Sequence, residues 1–348
     1  MSEPLNVALV GYGFVGKTTH APLIEAVPGL NLHTIVSSKG AAVTQERPGV
    51  RVVADLAEAL DDAIDLVVIA TPNDLHAPQA HAALDAGKHV VVDKPFTLSL
   101  AEAQAVMGHG QRAGKLVSVF QNRRLDSDFM TLRHLVQTGK LGAVAEFHSH
   151  YDRWRPTVRD RWREHAGPGT GIWVDLGAHL ADQALQLFGV PDAVYGEISN
   201  RRPGSVTTDY FHMLLRYQEV RVILHGSSLA QANGLRYIAH GSKASYVKYG
   251  IDAQEDMLKA GQKPGDEGWG DDPIPGELIV SENDWPQVID RPVVRGEYRA
   301  YYAAMRDAIL GKGPPPVTPR EALDLMKLLD LGIASSNARR ELLWNEVP

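Results

Sequence analysis

Short apolar runs alternate with helix-type patterns over the first third of the chain. The runs are rich in Val and Ile and carry no polar face, which is typical of strands buried on both sides of a parallel sheet. Predicted strands lie at 6–10, 30–36, 66–70, 89–92 and 116–120. Predicted helices lie at 18–26, 55–62, 76–86 and 100–113. This alternation predicts an α/β fold, with a Rossmann-type doubly wound parallel sheet over residues 1–122.

The pattern changes after residue 122. Longer strands with alternating polar and apolar residues predict a large, mostly antiparallel open sheet. They lie at 144–151, 193–200, 210–217, 220–226, 236–241 and 245–249. Helices are predicted at 128–137, 174–188, 297–310 and 319–341, and a long loop with short strands at 252–296. Residues 123–348 are therefore expected to form an α+β domain for substrate binding and oligomerisation, with the option that the last helices pack back on the first domain.

Composition and charge exclude several classes of function. The net charge is −7, and Lys and Arg form no basic stripe, so no nucleic-acid partner is expected. The apolar runs are of strand length, and the N-terminus has no signal-peptide pattern, so no membrane contact and a cytoplasmic location are expected. The absence of cysteine excludes disulfides, thiolate metal sites and Cys nucleophiles. Apolar residues on the open sheet face predict a homodimer or homotetramer formed through that sheet.

A glycine-rich turn follows the first predicted strand and opens the first predicted helix. It reads Gly11-Tyr12-Gly13-Phe14-Val15-Gly16, the G-x-G-x-x-G spacing of a dinucleotide site. Gly11 permits a tight turn, Gly13 lets a pyrophosphate approach the backbone, and Gly16 permits close packing of helix on strand. The helix N-terminus then offers N–H groups to the phosphates. These six residues are the predicted centre of an NAD(P) site; the alternative is a glycine turn without a ligand.

The end of the second predicted strand bears on the identity of the cofactor. NAD-binding forms usually place Asp or Glu there, whereas residues 30–45 contain no acid. Ser37, Ser38 and Lys39 instead offer two hydroxyls and an ammonium, which suit a 2′-phosphate. NADP is therefore expected to be preferred over NAD. The alternative is that Lys39 is an ordinary solvated lysine.

Two further strand ends carry polar side chains at the predicted ligand-binding edge of the sheet. The third predicted strand runs into Thr71-Pro72-Asn73 and then His76, which are expected to line the nicotinamide ribose, to cap the next helix, or both. The fourth runs into Asp93-Lys94-Pro95. A lysine held extended by the following proline can hydrogen-bond a substrate oxygen and exchange protons with it. The alternative is a structural ion pair of Asp93 with Lys94.

The predicted helix at 174–188 carries Asp175 and His179, which are four residues apart and therefore share a face. A histidine can take the hydroxyl proton as hydride leaves the same carbon, while the aspartate binds a hydroxyl or orients the imidazole. Metal binding is a second use of such a pair. Because no third ligand stands at a telling spacing and Lys94 would repel a cation, no metal is expected. A histidine satisfied in the core is a further alternative.

These motifs resemble the glucose–fructose oxidoreductase/inositol dehydrogenase (Gfo/Idh/MocA) family over nearly the full length. The run at 86–90, Ala-Gly-Lys-His-Val, leads to Asp93-Lys94-Pro95, similar to that family's Glu-Lys-Pro motif, and Asp175, Gly177 and His179 match its Asp-x-Gly-x-His. The resemblance implies that Lys94, Asp175 and His179 form the catalytic set around the nicotinamide. The chain departs from the family in having Asp93 for Glu, and Pro168 and Thr170 within the usual glycine triplet.

Finer features are similar to NADP-dependent scyllo-inositol dehydrogenases and their bacterial relatives. They lie at 122–124, 151–156, 161–164, 208–212 and 248–252. The resemblance implies that Asn122 lies near the nicotinamide and that Trp162 and Arg163 pack on the cofactor, with a domain-interface role as the alternative. A polyol needs several polar anchors, and Asn122, Tyr151 and Arg153 are expected to bind substrate together with Lys94, Asp175 and His179.

The sequence thus predicts an oxidoreductase that transfers a hydride between NADP(H), or NAD(H) as the second choice, and a hydroxyl-bearing carbon of a cyclic polyol or sugar such as scyllo-inositol. Two alternatives stay open: a non-catalytic NAD(P)-binding regulator and an NAD-dependent glycosidase on the same fold. The intact catalytic set argues against the regulator.

Overall fold

The computed structural model describes residues 3–160, 164–167, 169–232 and 234–346. The chain divides into two compact units, each assembled from three segments. The first comprises Met1–Asn122, Gln254–Trp269 and Glu297–Leu323, and the second Arg123–Ala253, Gly270–Gly296 and Asp324–Pro348. None of the helices in the described part of the chain combines the length and apolar character needed to cross a bilayer.

A six-stranded parallel sheet forms the centre of the first unit. Its strands are β1 (Leu5–Val10), β2 (Leu30–Val36), β3 (Arg51–Val53), β4 (Leu66–Ile69), β5 (His89–Val92) and β6 (Val117–Val119). They stand in the order β3-β2-β1-β4-β5-β6, so the direction of winding reverses between β1 and β4. The inner strands are buried on both faces, which accounts for their continuous apolar runs. The predicted Rossmann-type sheet is confirmed; the unpredicted β3 has only one buried residue, Val53.

The helices confirm most of the predicted pattern. They are α1 (Ala21–Glu25), α2 (Gly40–Glu46), α3 (His76–Asp85), α4 (Leu100–Ala113), α5 (Ser127–Gln137), α6 (Ala178–Phe188), α7 (Gln254–Lys259), α8 (Arg299–Ile309) and α9 (Pro319–Ala338). The predicted helix at 55–62 is only a 3-10 turn, Leu56–Ala59, because Ala59 alone in it is buried. Helix α9 ends before 341, since Arg339 takes a left-handed φ of 54°.

The second unit contains a nine-stranded, mostly antiparallel sheet. Its strands are β7 (Val144–His150), β8 (Ala193–Ser199), β9 (Tyr210–Arg216), β10 (Arg221–Ser227), β11 (Leu235–Gly241), β12 (Ser245–Tyr249), β13 (Glu277–Glu282), β14 (Trp285–Asp290) and β15 (Leu342–Leu343). They stand in the order β14-β13-β12-β11-β7-β10-β9-β8-β15, and β7 and β10 are parallel. Buried and half-buried residues alternate along β7, β9 and β10, so the predicted open sheet with one covered face is confirmed.

Candidate functional site

The glycine-rich turn after β1 has the shape that a dinucleotide requires. Gly11 has a φ of +95°, and a Cβ there would stand 2.6 Å from the carbonyl oxygen of Ala70. A Cβ on Gly16 would stand 2.0 Å from the carbonyl oxygen of Gly11. At Gly13, no described atom outside its own chain neighbours lies within 4 Å of the Cβ position. The fold itself thus requires the first and third glycines, whereas the second leaves a clear backbone surface that fits a pyrophosphate.

A π-helical turn, Gly16–His20, joins this loop to α1. Such turns occur frequently at functional sites. The residues between the glycines differ in exposure: Phe14 is 62% exposed, while Tyr12 and Val15 are half-buried. The hydroxyl oxygen of Tyr12 accepts a hydrogen bond of 3.0 Å from Nε of Arg47. Arg47, which the sequence analysis missed, therefore adds a guanidinium beside the turn.

The end of β2 presents the expected hydroxyls and ammonium. The backbone N–H of Ser37 donates to the carbonyl oxygen of Val53 at 3.0 Å, which pins this end to β3. Its hydroxyl oxygen accepts from the backbone N–H of Lys39 at 3.2 Å. Ser38 and Lys39 are exposed. The three side chains lie in one short turn, as an anion site for a 2′-phosphate would need.

His76 connects the ends of β4 and β5. Its Nδ1 lies 2.8 Å from the carbonyl oxygen of Pro95, its Nε2 lies 3.0 Å from that of Thr71, and the side chain is buried. A neutral imidazole donates to only one of two such acceptors, whereas the protonated ring donates to both. Pro72 and Asn73 follow Thr71 in the same loop. Both ring nitrogens of His76 thus face the protein backbone, which makes this residue a support for the two strand ends.

Asp93 and Lys94 follow β5, and the Lys94–Pro95 peptide is cis. A carboxylate oxygen of Asp93 accepts from the backbone N–H of Lys94 at 2.8 Å and lies 3.8 Å from Nε2 of His20. Burial raises the pKa of Asp93, but the neighbouring His20, Lys94 and His76 together lower it by more. The net pKa therefore lies below its ordinary value. The carboxyl group is therefore ionised at neutral pH beside the half-buried Lys94.

His20 and Tyr302 form a buried pair behind Asp93 that the sequence analysis missed. Nδ1 of His20 lies 2.5 Å from the hydroxyl of Tyr302, and both side chains are fully buried. The imidazole ring also packs on Phe120, with 4.4 Å between ring centroids. The two residues are 282 positions apart, so no local pattern could have indicated the contact.

The second unit carries Asp175 and His179 at the start of one helix. Asp175 lies in a π-helical turn, Trp173–Gly177, and His179 lies in the first turn of α6, where it is 4% exposed. A Cβ on Gly177 would stand 2.1 Å from the indole ring of Trp173. That indole donates to the carbonyl oxygen of Leu329 at 3.1 Å. The glycine of the Asp-x-Gly-x-His motif therefore admits the tryptophan that fixes the helix start.

The remaining predicted site residues fall in different places. Asn122 is half-buried and begins a 3-10 turn after β6. Tyr151 is 4% exposed, and guanidinium carbons of Arg153, Arg123 and Arg236 lie 4.8, 5.3 and 5.5 Å from its ring centroid. Arg153 is half-buried. Trp162 and Arg163 lie outside the described residues, as does Pro168.

Comparison with known protein families shows which family the chain belongs to. The description "Oxidoreductase family, NAD-binding Rossmann fold" matches residues 5–121, and "Oxidoreductase family, C-terminal alpha/beta domain" matches residues 133–344. The chain belongs to the Gfo/Idh/MocA oxidoreductase family. Its first unit accordingly contains the NAD-binding Rossmann domain of that family, and the resemblance drawn from the motifs is confirmed.

Relatives within the Gfo/Idh/MocA family cover almost the whole chain. It is 50% identical to the uncharacterized oxidoreductase YdgJ of Escherichia coli K12, over 98% of this chain and 99% of YdgJ. It is 37% identical to the scyllo-inositol 2-dehydrogenase (NADP(+)) IolW of Bacillus subtilis 168, over 98% of this chain and 96% of IolW. Among solved structures, an oxidoreductase from Yersinia pestis, YPO2259, is 48% identical with a TM-score of 0.94, over 99% of this chain and 98% of that one.

Proposed function

We propose that this chain is an NADP-dependent dehydrogenase that oxidises or forms a secondary alcohol on a cyclic polyol or sugar, with scyllo-inositol as the first candidate substrate. The observation that carries the proposal is the juxtaposition of two features at one sheet edge. The clear backbone surface at Gly13 follows β1, and Lys94 follows β5. Only β4 separates these strands, so the two strand ends stand about 10 Å apart at the usual spacing of about 4.8 Å.

Each proposed catalytic side chain has a chemical task. Bound NADP would supply the hydride acceptor at its nicotinamide ring. Lys94 donates a hydrogen bond to the oxygen of the reacting carbon. His179 accepts the proton of the hydroxyl group as the carbonyl forms, and Asp175 binds a substrate hydroxyl or orients the imidazole. The ionised Asp93 places a negative charge beside Lys94.

The preference for NADP rests on the β2 end. Ser38 and Lys39 are exposed there, Ser37 lies beside them, and no carboxylate occurs between residues 30 and 45. Arg47 lies beside Tyr12 in the glycine-rich turn, but its guanidinium is paired with Glu25, so the preference rests on the residues at the end of β2. The relative IolW is an NADP-dependent scyllo-inositol 2-dehydrogenase, which supports both the NADP preference and a polyol substrate.

The other predicted features stay part of the proposal. Asn122, Tyr151 and Arg153 are proposed substrate or cofactor anchors, and Trp162 and Arg163 are proposed cofactor contacts. Substrate binding and assembly remain proposed for residues 123–348, of which 254–269 and 297–323 belong to the first compact unit. A homodimer or homotetramer formed through the open sheet, and a cytoplasmic location, also remain predictions.

The test is a turnover assay with NADP⁺ and NAD⁺ against a panel of inositols and sugars. Lys94→Met keeps the length of the side chain and removes its charge. We expect kcat/KM to fall by about 10²–10⁴-fold, while the dissociation constant of NADPH changes by less than about tenfold. Lys140→Met is the matched control, because Lys140 is exposed in the turn that follows α5.

Each other outcome has a distinct meaning. Full activity of Lys94→Met would remove this residue from the mechanism. Tight NADPH binding with no turnover on any polyol or sugar would favour a non-catalytic regulator. Cleavage of a glycoside with a cofactor that stays bound and is not consumed would favour the NAD-dependent glycosidase.

A further inference from the structure

Three histidines stand side by side on the open face of the nine-stranded sheet. His225 on β10 is the cross-strand partner of His150 on β7 and of His212 on β9. Each alternates along its strand with buried residues, so the three imidazoles point to the half-exposed side. None of them belongs to the proposed catalytic set. A fourth polar group, the carboxylate of Asp152, follows β7 two residues after His150.

Asp152 bridges two of these imidazoles. One carboxylate oxygen lies 3.2 Å from Nδ1 of His150, and the other lies 3.4 Å from Nε2 of His225. One ligand atom from each of the three residues lies within 4.8 Å of the other two. In a tetrahedral site with metal–ligand bonds of about 2.0–2.1 Å, neighbouring ligand atoms stand about 3.3 Å apart. The two separations, each to a different carboxylate oxygen, are close to one such edge, and the three groups lie near enough to converge on one ion.

The surroundings hold the three groups in place. The backbone N–H of Ser227 donates to the carboxylate of Asp152 at 3.0 Å. Nδ1 of His212 lies 3.4 Å from Nδ1 of His225, so His212 can accept the proton on the ring nitrogen of His225 that faces away from Asp152. Metal-binding histidines commonly donate their second N–H in this way. Nε2 of His150 is buried and has no hydrogen-bond partner among the described residues.

The charges around the cluster are compatible with a cation. The carboxylate of Asp152 places a negative charge beside both His150 and His225. Arg201 lies over the ring of Tyr210, next to His225, but it is paired with Glu197, so its charge is balanced locally.

We propose that His150, Asp152 and His225 form a binding site for a divalent transition-metal ion of the Zn²⁺ class. His212 acts as a positioning residue for His225. Two nitrogen ligands and one carboxylate favour Zn²⁺ and its neighbours in the first transition row over Mg²⁺ or Ca²⁺, which prefer all-oxygen sites. A water molecule would complete four-coordination. The ion would join β7 to β10, the parallel pair within an otherwise antiparallel sheet.

The experiment is titration of the full-length, EDTA-treated protein with Zn²⁺ by calorimetry, and with Co²⁺ by visible absorption. We expect one tight site per chain and a strong Co²⁺ band, which marks four-coordination. His150→Gln and His225→Gln should each weaken Zn²⁺ binding by more than about tenfold, and His212→Gln by about tenfold. Zn²⁺ should also raise the Tm of the unaltered protein and not that of His225→Gln.

The controls separate this site from other histidines, of which the chain has 14 in all. His148→Gln alters the same face of β7, where His148 pairs with Glu146, and His240→Gln alters an exposed residue on β11. Both should bind Zn²⁺ as the unaltered protein does. Far-ultraviolet circular dichroism confirms that each variant is folded. The proposal is overturned if no saturable Zn²⁺ site exists, or if the folded double variant of His150 and His225 keeps the affinity of the unaltered protein.

Discussion

Substitution of single glycines in the turn after β1 separates the needs of the fold from the needs of the cofactor. At Gly13, an added methyl group meets no described atom within 4 Å. Gly13→Ala should therefore change the free energy of unfolding by no more than about 1 kcal/mol. The same methyl group fills the space through which a pyrophosphate approaches the backbone. Loss of one charge-assisted hydrogen bond of about 1.5–3 kcal/mol corresponds to weaker NADPH binding by about 10–100-fold.

Gly16→Ala should behave differently. Its Cβ would stand 2.0 Å from the carbonyl oxygen of Gly11, which is backbone and cannot rotate away. Such overpacking costs about 1–3 kcal/mol of stability, and the shift of the turn also removes cofactor binding. Thermal unfolding and NADPH fluorescence titration measure the two effects separately. The reasoning is refuted if Gly13→Ala binds NADPH as well as the unaltered protein, or if it unfolds like Gly16→Ala.

Three further outcomes follow from buried or exposed charges. Arg202 is 6% exposed, and its guanidinium lies 2.6 Å from Glu164 and 2.8 Å from Asp209. Arg202→Met leaves these two buried carboxylates without their cation. It should lower the free energy of unfolding by about 3–5 kcal/mol, as measured by denaturant titration. The pKa of Asp93 is lowered in the folded protein. The ionised carboxylate therefore stabilises the fold above its ordinary pKa of about 3.9, and this stabilisation is lost as pH falls through the lower folded value. Asp93→Asn should be less stable than the unaltered protein at pH 7, and the difference in the free energy of unfolding should shrink in acid. Ser38→Asp places a carboxylate at the end of β2 and should reduce the kcat/KM ratio of NADP over NAD by about 100-fold; an unchanged ratio would remove this turn from cofactor selection.

The sequence predicts those parts of the fold that rest on local patterns. The Val-rich runs of β4 and β5 and the spacing of Gly11, Gly13 and Gly16 are local signals, because burial on both faces and a tight turn constrain each residue where it stands. Short, mostly exposed elements give no such signal. Helix α2 buries only Val43, and β15 has two residues, so neither has enough apolar periodicity to be recognised.

Sequence patterns could not predict the long-range contacts that hold the candidate site residues in place. Tyr302 contacts His20, and His150 pairs across strands with His225, at separations that the chain path alone decides. A weak signal for the histidine cluster does exist. His148 and His150 alternate along β7 in the phase opposite to the buried Phe147, which places both on the open face. Their partners on β9 and β10 depend on strand order, which requires the structure.

The segmented first unit has a consequence for how the protein is made. The hydroxyl of Ser118, at the centre of β6, is paired by Tyr301 and by the backbone of Val317. At a synthesis rate of about 5–20 residues per second, the roughly 200 residues between β6 and Val317 take about 10–40 s to emerge from the ribosome. The nucleotide-binding core therefore lacks this contact to β6 while the second sheet is translated. A chain that terminates before residue 317 would be released with the core incomplete.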